Sequence, residues 1–149
     1  MVSSACSGGD DKALGTTLLT TPYALLDGGS SSLAAHEGTP ILLNFFASWC
    51  APCVAEMPDI EVLHQEFGDR VAFIGLDTQE KAEEGRKIVQ KTGVTYEIGH
   101  DPDGTFFAAF GGLGMPTTVL IRADGSVADT HSGALTADKL RAMINKAFF

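Results

Sequence analysis

Residues 41–67 read ILLNFFASWCAPCVAEMPDIEVLHQEF. The first seven, Ile41 to Ala47, are apolar apart from Asn44. That run predicts a strand buried on both faces, as in the interior of a parallel sheet. From Ala51 the period changes. Val54, Met57, Ile60, Leu63 and Phe67 recur at three and four residues, the inner face of an amphipathic helix that Gly68 closes. Pro58 inside it lacks an N–H and is expected to kink it. Where strand gives way to helix stand Cys50 and Cys53.

Working outward, Val71 to Leu76 is a second buried strand. Lys81 to Thr92 is a more exposed helix, with Ile88 and Val89 inward and Gly93 at its end. Val94 to Ile98 is a short strand, and Phe106, Phe107 and Phe110 mark a short helix. Thr117 to Arg122 is a third strong strand. Ala123-Asp124-Gly125-Ser126 is a hairpin turn from which Val127 to His131 returns antiparallel. Thr136 N-caps a last helix with Leu140, Met143, Ile144 and Phe148 inward. On the N-terminal side, Thr17 to Leu26 is weakly β-prone and ends in the turn signal Asp27-Gly28-Gly29, which suggests a hairpin entering the domain. Ser32 to His36 suits one helical turn, stopped by Gly38 and Pro40. Strands and helices alternate and then end in a hairpin. The fold class is therefore α/β, a mixed central sheet with helices on both faces.

The chain has 149 residues, which suits one domain, placed at residues 16–149. A net charge of −9 argues against a nucleic-acid partner and against an anionic membrane surface. Three cysteines are too few for a disulfide framework, so the fold rests on its core. Residues 1–15 are small, polar and aperiodic. They suit a flexible tail. A sharper reading is a lipoprotein-type tether, because small residues precede Cys6 as at the end of a lipobox, with Ser3 in place of the usual aliphatic residue. Cys6 would then carry a lipid anchor and take no part in catalysis.

The cysteine pair admits three readings. As a staple it closes a tiny loop and adds little stability. As a metal site it lacks a second Cys-x-x-Cys, and His36, His64, His100 and His131 are scattered without ligand spacing. As a redox pair it fits its context. Cys50 falls at a helix N-terminus, where free N–H groups and the helix dipole favour a thiolate. Cys53 follows one turn later, more buried, as the resolving thiol. Pro52 suits the first helical turn.

Trp49-Cys50-Ala51-Pro52-Cys53, preceded by Asn44-Phe45-Phe46-Ala47-Ser48, resembles the active-site segment of the thioredoxin-like superfamily. Glu56-Met57-Pro58 and Gly114-Met115-Pro116-Thr117-Thr118 resemble its extracytoplasmic TlpA/ResA/DsbE-type branch, and the resemblance runs from about Thr16 to Phe148. It implies a thioredoxin-like fold with an N-terminal hairpin extension and an α/β insert at Thr78 to Tyr96. It implies thiol–disulfide exchange with no organic cofactor or metal, in a monomer of the bacterial periplasm or cell envelope. The partners would be client proteins with thiols or disulfides, and an upstream redox protein such as a membrane reductase. A specific reductase, for example of apocytochrome c thiols, is the first expectation. A disulfide-forming oxidase and a metal-chaperone or interaction module are the alternatives. A peroxidase is disfavoured, since no Pro-x₃-Thr-x₂-Cys pattern occurs.

The resemblance also assigns residues. Pro116 matches the family's cis-proline, against an ordinary trans proline at a strand start. Trp49 matches the aromatic beside the site, against mere packing. Glu56 matches a carboxylate near the cysteines that can relay a proton to or from Cys53, against a solvated glutamate on the helix surface. Asn44 departs from thioredoxins proper, which usually carry a buried aspartate there; an amide cannot accept the proton, which shifts that role to Glu56. Asp77-Thr78-Gln79-Glu80 and His100-Asp101 border the site in one reading and are surface loops in the plainer one.

Overall fold

The computed structural model describes residues 15–149. In chain order the elements are α1 (Thr16–Thr20), β1 (Tyr23–Leu25), β2 (Ser30–Ser31), a 3₁₀ turn (Leu33–His36), β3 (Ile41–Phe46), α2 (Ala51–Phe67), β4 (Ala72–Thr78), α3 (Ala82–Thr92), β5 (Glu97–Asp101), α4 (Thr105–Ala109), β6 (Thr117–Ile121), β7 (Val127–Ser132) and α5 (Ala137–Phe148). The strands form one mixed sheet in the order β2-β1-β5-β4-β3-β6-β7. β3 runs parallel to β4, and β4 parallel to β5; the β3–β6, β6–β7, β1–β5 and β1–β2 pairs are antiparallel.

Helices cover both faces, as the alternation requires. On one face Leu42 and Phe46 of β3 meet Met57, Ile60 and Leu63 of α2, Ile88 of α3, and Leu140 and Ile144 of α5. On the other, Ile41, Leu43 and Phe45 meet Leu33 of the 3₁₀ turn and Phe106 of α4, with Leu18 and Leu19 of α1 against them. Every residue of β3 is buried, which explains its continuous apolar run. α2 runs through Pro58 as one helix of 17 residues ending at Gly68. Thr136 caps α5, its hydroxyl accepting from the Lys139 N–H.

Three sequence expectations are corrected. Of the stretch Thr17 to Leu26, read as β-prone, Thr17 to Thr20 lie in α1 and are helical. The Thr20 and Thr21 hydroxyls bond back to the Thr16 and Thr17 carbonyls, and Leu18 and Leu19 gain the core face. The hairpin itself exists, confined to β1 and β2 around Asp27-Gly28-Gly29. Val94 and Tyr96 are buried as predicted for a strand, yet they only lead into it. The ladder begins at Glu97 opposite Ile74, so the insert's strand lies beyond Tyr96. β4 does not stop at Leu76 with the apolar residues but carries Asp77 and Thr78 into the interior. The tail reading of residues 1–15 and the lipid anchor at Cys6 concern residues that, Gly15 apart, lie outside the described ones.

The hairpin docks on β5 at Gly99, which pairs with Leu25 on one side and Leu76 on the other. A methyl group there would overlap the Tyr23 ring and the Leu76 side chain. Gly99→Ala should therefore lower stability by about 1–3 kcal/mol through overpacking, read as a lower urea midpoint at unchanged slope. An unchanged midpoint would mean the hairpin yields freely at this contact.

Candidate active site

β3 ends at Phe46 and the chain turns at once. The Cys50 N–H donates to the Ala47 carbonyl at 3.1 Å, closing a tight turn across Ser48 and Trp49. Cys50 has extended backbone angles and is the N-cap of α2. Its Sγ accepts from the Cys53 N–H at 3.3 Å, so the sulfur occupies the place a capping oxygen would take. Pro52 is in the first turn of α2, where no N–H is needed. Cys50 and Cys53 are joined as a disulfide with Cα atoms 5.2 Å apart. Cys50 is 5% exposed and Cys53 0%, so the first sulfur is the one a partner can reach. Trp49 stands out of the turn, 61% exposed.

Glu56 is no surface residue. It is 2% exposed, three residues after Cys53 on the buried face of α2. Its Oε1 accepts from the Asn44 amide at 2.9 Å, and its Oε2 from the Leu135 N–H at 2.6 Å. Burial pushes its carboxyl up to about 7, and the two donors offset only part of that cost. Asn44 also donates toward the Thr118 hydroxyl at 3.4 Å, while its Oδ1 has no partner. The amide in place of an acid thus acts as a donor to the acid on the helix.

The Met115–Pro116 peptide is cis. Pro116 precedes Thr117, which pairs with Phe45, so the cis bond arrives at the same end of β3 that continues into Cys50. The Pro116 carbonyl accepts from the Gly133 N–H at 2.8 Å.

Asp77-Thr78-Gln79-Glu80 does border this region, and the surface-loop reading is overturned for it. Asp77 and Thr78 are fully buried. Glu80 reaches the turn itself: its Oε1 accepts the Ser48 N–H at 2.8 Å and its Oε2 the Ser48 hydroxyl at 2.5 Å. Asp101 is also buried and caps α4, accepting from Phe106 and Phe107 N–H at 3.0 Å each. Sequence reasoning missed the Ser48–Glu80 and Leu135–Glu56 contacts. No spacing signals them, because they join segments 32 and 79 residues apart.

A prediction for stability follows from Glu56. The native carboxyl keeps its proton up to about pH 7, whereas its ordinary value is 4.5. Between these values unfolding releases a proton. Its contribution is therefore fully present below about 4.5 and is lost as pH rises through 7. The loss is at most about 3 kcal/mol. Denaturant titrations at pH 5 and 8 should show wild-type stability falling relative to Glu56→Gln, which lacks this proton. Parallel pH dependence in the two proteins would contradict the raised value.

The Redoxin family model matches residues 11–144. The chain is 32% identical over 123 residues to the thiol-disulfide oxidoreductase ResA of Oceanobacillus iheyensis, an alignment that spans 80% of this chain and 63% of that relative. It is 34% identical over 119 residues to the thioredoxin-like protein YneN of Bacillus subtilis, spanning 77% and 69%. A secreted Mycobacterium tuberculosis disulfide oxidoreductase, described as homologous to Escherichia coli DsbE, superimposes with a TM-score of 0.80 at 25% identity, over 88% of this chain and 98% of that one. With the mixed sheet and the cysteine pair at the head of α2, these matches place the chain in the Redoxin family, with a thioredoxin-like fold of the TlpA/ResA/DsbE type.

Proposed function

We propose that the chain carries out thiol–disulfide exchange on extracytoplasmic protein clients through Cys50 and Cys53, as a specific reductase. The observation that carries this reading is the N-cap position of Cys50 within a closed, one-sidedly accessible disulfide. In the reduced protein the Cys50 thiolate attacks one sulfur of a client disulfide. The client S–S bond breaks, the other client sulfur leaves as a thiolate and takes a proton, and a Cys50–client mixed disulfide forms. Cys53 gives up its proton, attacks Cys50 Sγ and expels the second client thiolate, restoring the Cys50–Cys53 disulfide. An upstream dithiol protein, such as a membrane reductase, then returns two electrons. No cofactor or metal enters these steps.

Glu56 is the proposed acceptor of the Cys53 proton. It lies on the same helical face, is dry, and changes charge near neutral pH. Pro116 and Trp49 are proposed to frame the client. The Met115 backbone makes no hydrogen bond to another described residue, which suits pairing with an extended client segment.

The reductase direction is supported by the buried acid. An ionised Glu56 beside the pair disfavours a second negative charge on sulfur, and a costlier thiolate form makes a disulfide harder to reduce. Apocytochrome c thiols are the proposed client, and an envelope location with a lipid anchor at Cys6 goes with it. Among the described residues no helix is long and apolar enough to cross a membrane. The oxidase alternative rests on the Cys53 N–H at Cys50 Sγ, which favours the thiolate instead.

Cys50→Ser should abolish exchange; full activity in that variant would refute the reading. Cys53→Ser should accumulate mixed disulfides that a reductant releases. A reduction potential near about −270 mV supports the reductase, and one near about −120 mV the oxidase. Glu56→Gln should flatten the pH dependence of exchange around 7, and an unchanged profile would remove Glu56 from the proton path.

A further inference from the structure

We propose that Glu80, backed by the buried Asp77 carboxyl, is a positioning residue for exchange: it clamps Ser48 and thereby fixes the Ala47–Cys50 turn that presents Cys50 to a client. This rests on the exchange chemistry proposed above. It concerns residues outside the cysteine pair and its acid.

The geometry is two-pronged. Both carboxylate oxygens of Glu80 are taken by one residue, through its N–H and its hydroxyl. Ser48 is the first of the two residues inside the turn that Cys50 N–H closes on Ala47. The other, Trp49, projects outward, so Glu80 supplies the side-chain anchor between the strand end and the helix cap. Such charge-assisted, bidentate bonds define orientation as well as energy.

Glu80 is itself held from behind. After β4 the chain passes through Gln79 at φ +60°, a left-handed conformation that reverses its course. The Gln79 N–H donates to the Asp101 carbonyl, and His100 Nε2–H donates to the Glu80 carbonyl at 2.7 Å. Beside it lies Asp77, fully buried, whose carboxyl accepts no hydrogen bond. Gly85 of α3 leaves the room it occupies, since a methyl group there would overlap its carboxyl.

Two carboxyl groups in so small a space do not both ionise. Burial first, then the neighbouring Glu80 and Glu84, push Asp77 up to about 9. Partial burial works to raise Glu80 too, but the Asp77 proton, the Ser48 donors and nearby His100 outweigh it and hold Glu80 below its ordinary value. The groups facing the pair are thus Glu84 from α3, His100 from β5 and Ser48 from the turn. At neutral pH the pair carries one charge, on the carboxylate that holds Ser48. When Asp77 ionises, Glu80 is repelled and the clamp loosens.

The oxidised protein tests this cleanly, because its disulfide has no titrating thiol. Trp49 is the sole tryptophan and adjoins Ser48. Burial holds the phenols of Tyr23 and Tyr96 far above their usual range, so neither ionises in the window used. Tryptophan fluorescence followed from pH 6 to 11 should show a transition near about 9 in the wild type. Asp77→Asn should lack it. A wild type without the transition, or an Asp77→Asn that keeps it, overturns the pairing of Asp77 with Glu80. Glu80→Ala should slow exchange by the reduced protein at pH 7 about tenfold, and Glu80→Gln, which keeps one acceptor oxygen, should recover part of that loss. Wild-type rates in both Glu80 variants overturn the positioning role. If Glu80→Ala fails to fold, Glu80→Gln read against the wild type decides. Absence of exchange in the wild type would instead refute the proposed function, and the fluorescence arm would still judge the clamp.

Discussion

Strand β3 is buried along all six residues, between parallel β4 and antiparallel β6, with helices over both faces. A strand so placed has no solvent into which a polar side chain can turn. Asn44, its one polar residue, must find partners in the core, and it finds Glu56 of α2 and Thr118 of β6. The same burial fixes where the strand can end. Beyond Phe46 the chain must leave the sheet, and the turn from Ala47 to Cys50 delivers a sulfur to the open N–H groups of α2. The placement of the cysteine pair is thus a consequence of how a doubly buried strand is terminated.

Two buried acids flank that centre on different terms. Glu56 is given two donors and stays near the point where it gains and loses a proton at physiological pH. Asp77 is given none and stays neutral well above it. The distinction is one of satisfaction rather than depth, since both are essentially inaccessible. Donors stabilise the carboxylate, whereas a neighbouring carboxylate stabilises the proton. Two acids of equal burial therefore suit opposite tasks, Glu56 the proton exchange proposed for it and Asp77 the retention of a proton beside Glu80.

The centre of the fold was legible because its signals are local. The apolar run of β3, the three-and-four spacing of α2 and the Asp124-Gly125 turn each state one element within a dozen residues. Edges were less legible. Thr16–Thr20 has strand-forming threonines, yet the cover that Leu18 and Leu19 give the sheet decides its state. β4 continues through Asp77 and Thr78 because β3 and β5 still pair with it there, which no hydropathy pattern reveals. Cys50, Cys53, Glu56, Pro116 and Trp49 could be named from motifs. The contacts of Ser48 with Glu80 and of Leu135 with Glu56 are made only by the fold.

The polar chemistry gathers at one end of the sheet. Cys50 follows the C-terminal end of β3, Asp77 to Glu80 close the C-terminal end of parallel β4, and Pro116 lies at the start of β6, which antiparallel pairing brings to that same end. Open α/β sheets place their sites there because parallel strands all release their chains on one side, where helix N-termini also begin. Here that geometry sets two opposing influences on one sulfur. The cap of α2 favours negative charge at Cys50, and an ionised Glu56 on the same helix opposes it. Their balance depends on how firmly the turn is held, since a small displacement of Sγ from the Cys53 N–H weakens the first without removing the second. On the role proposed for Glu80, holding Ser48 would act on redox poise as well as on presentation.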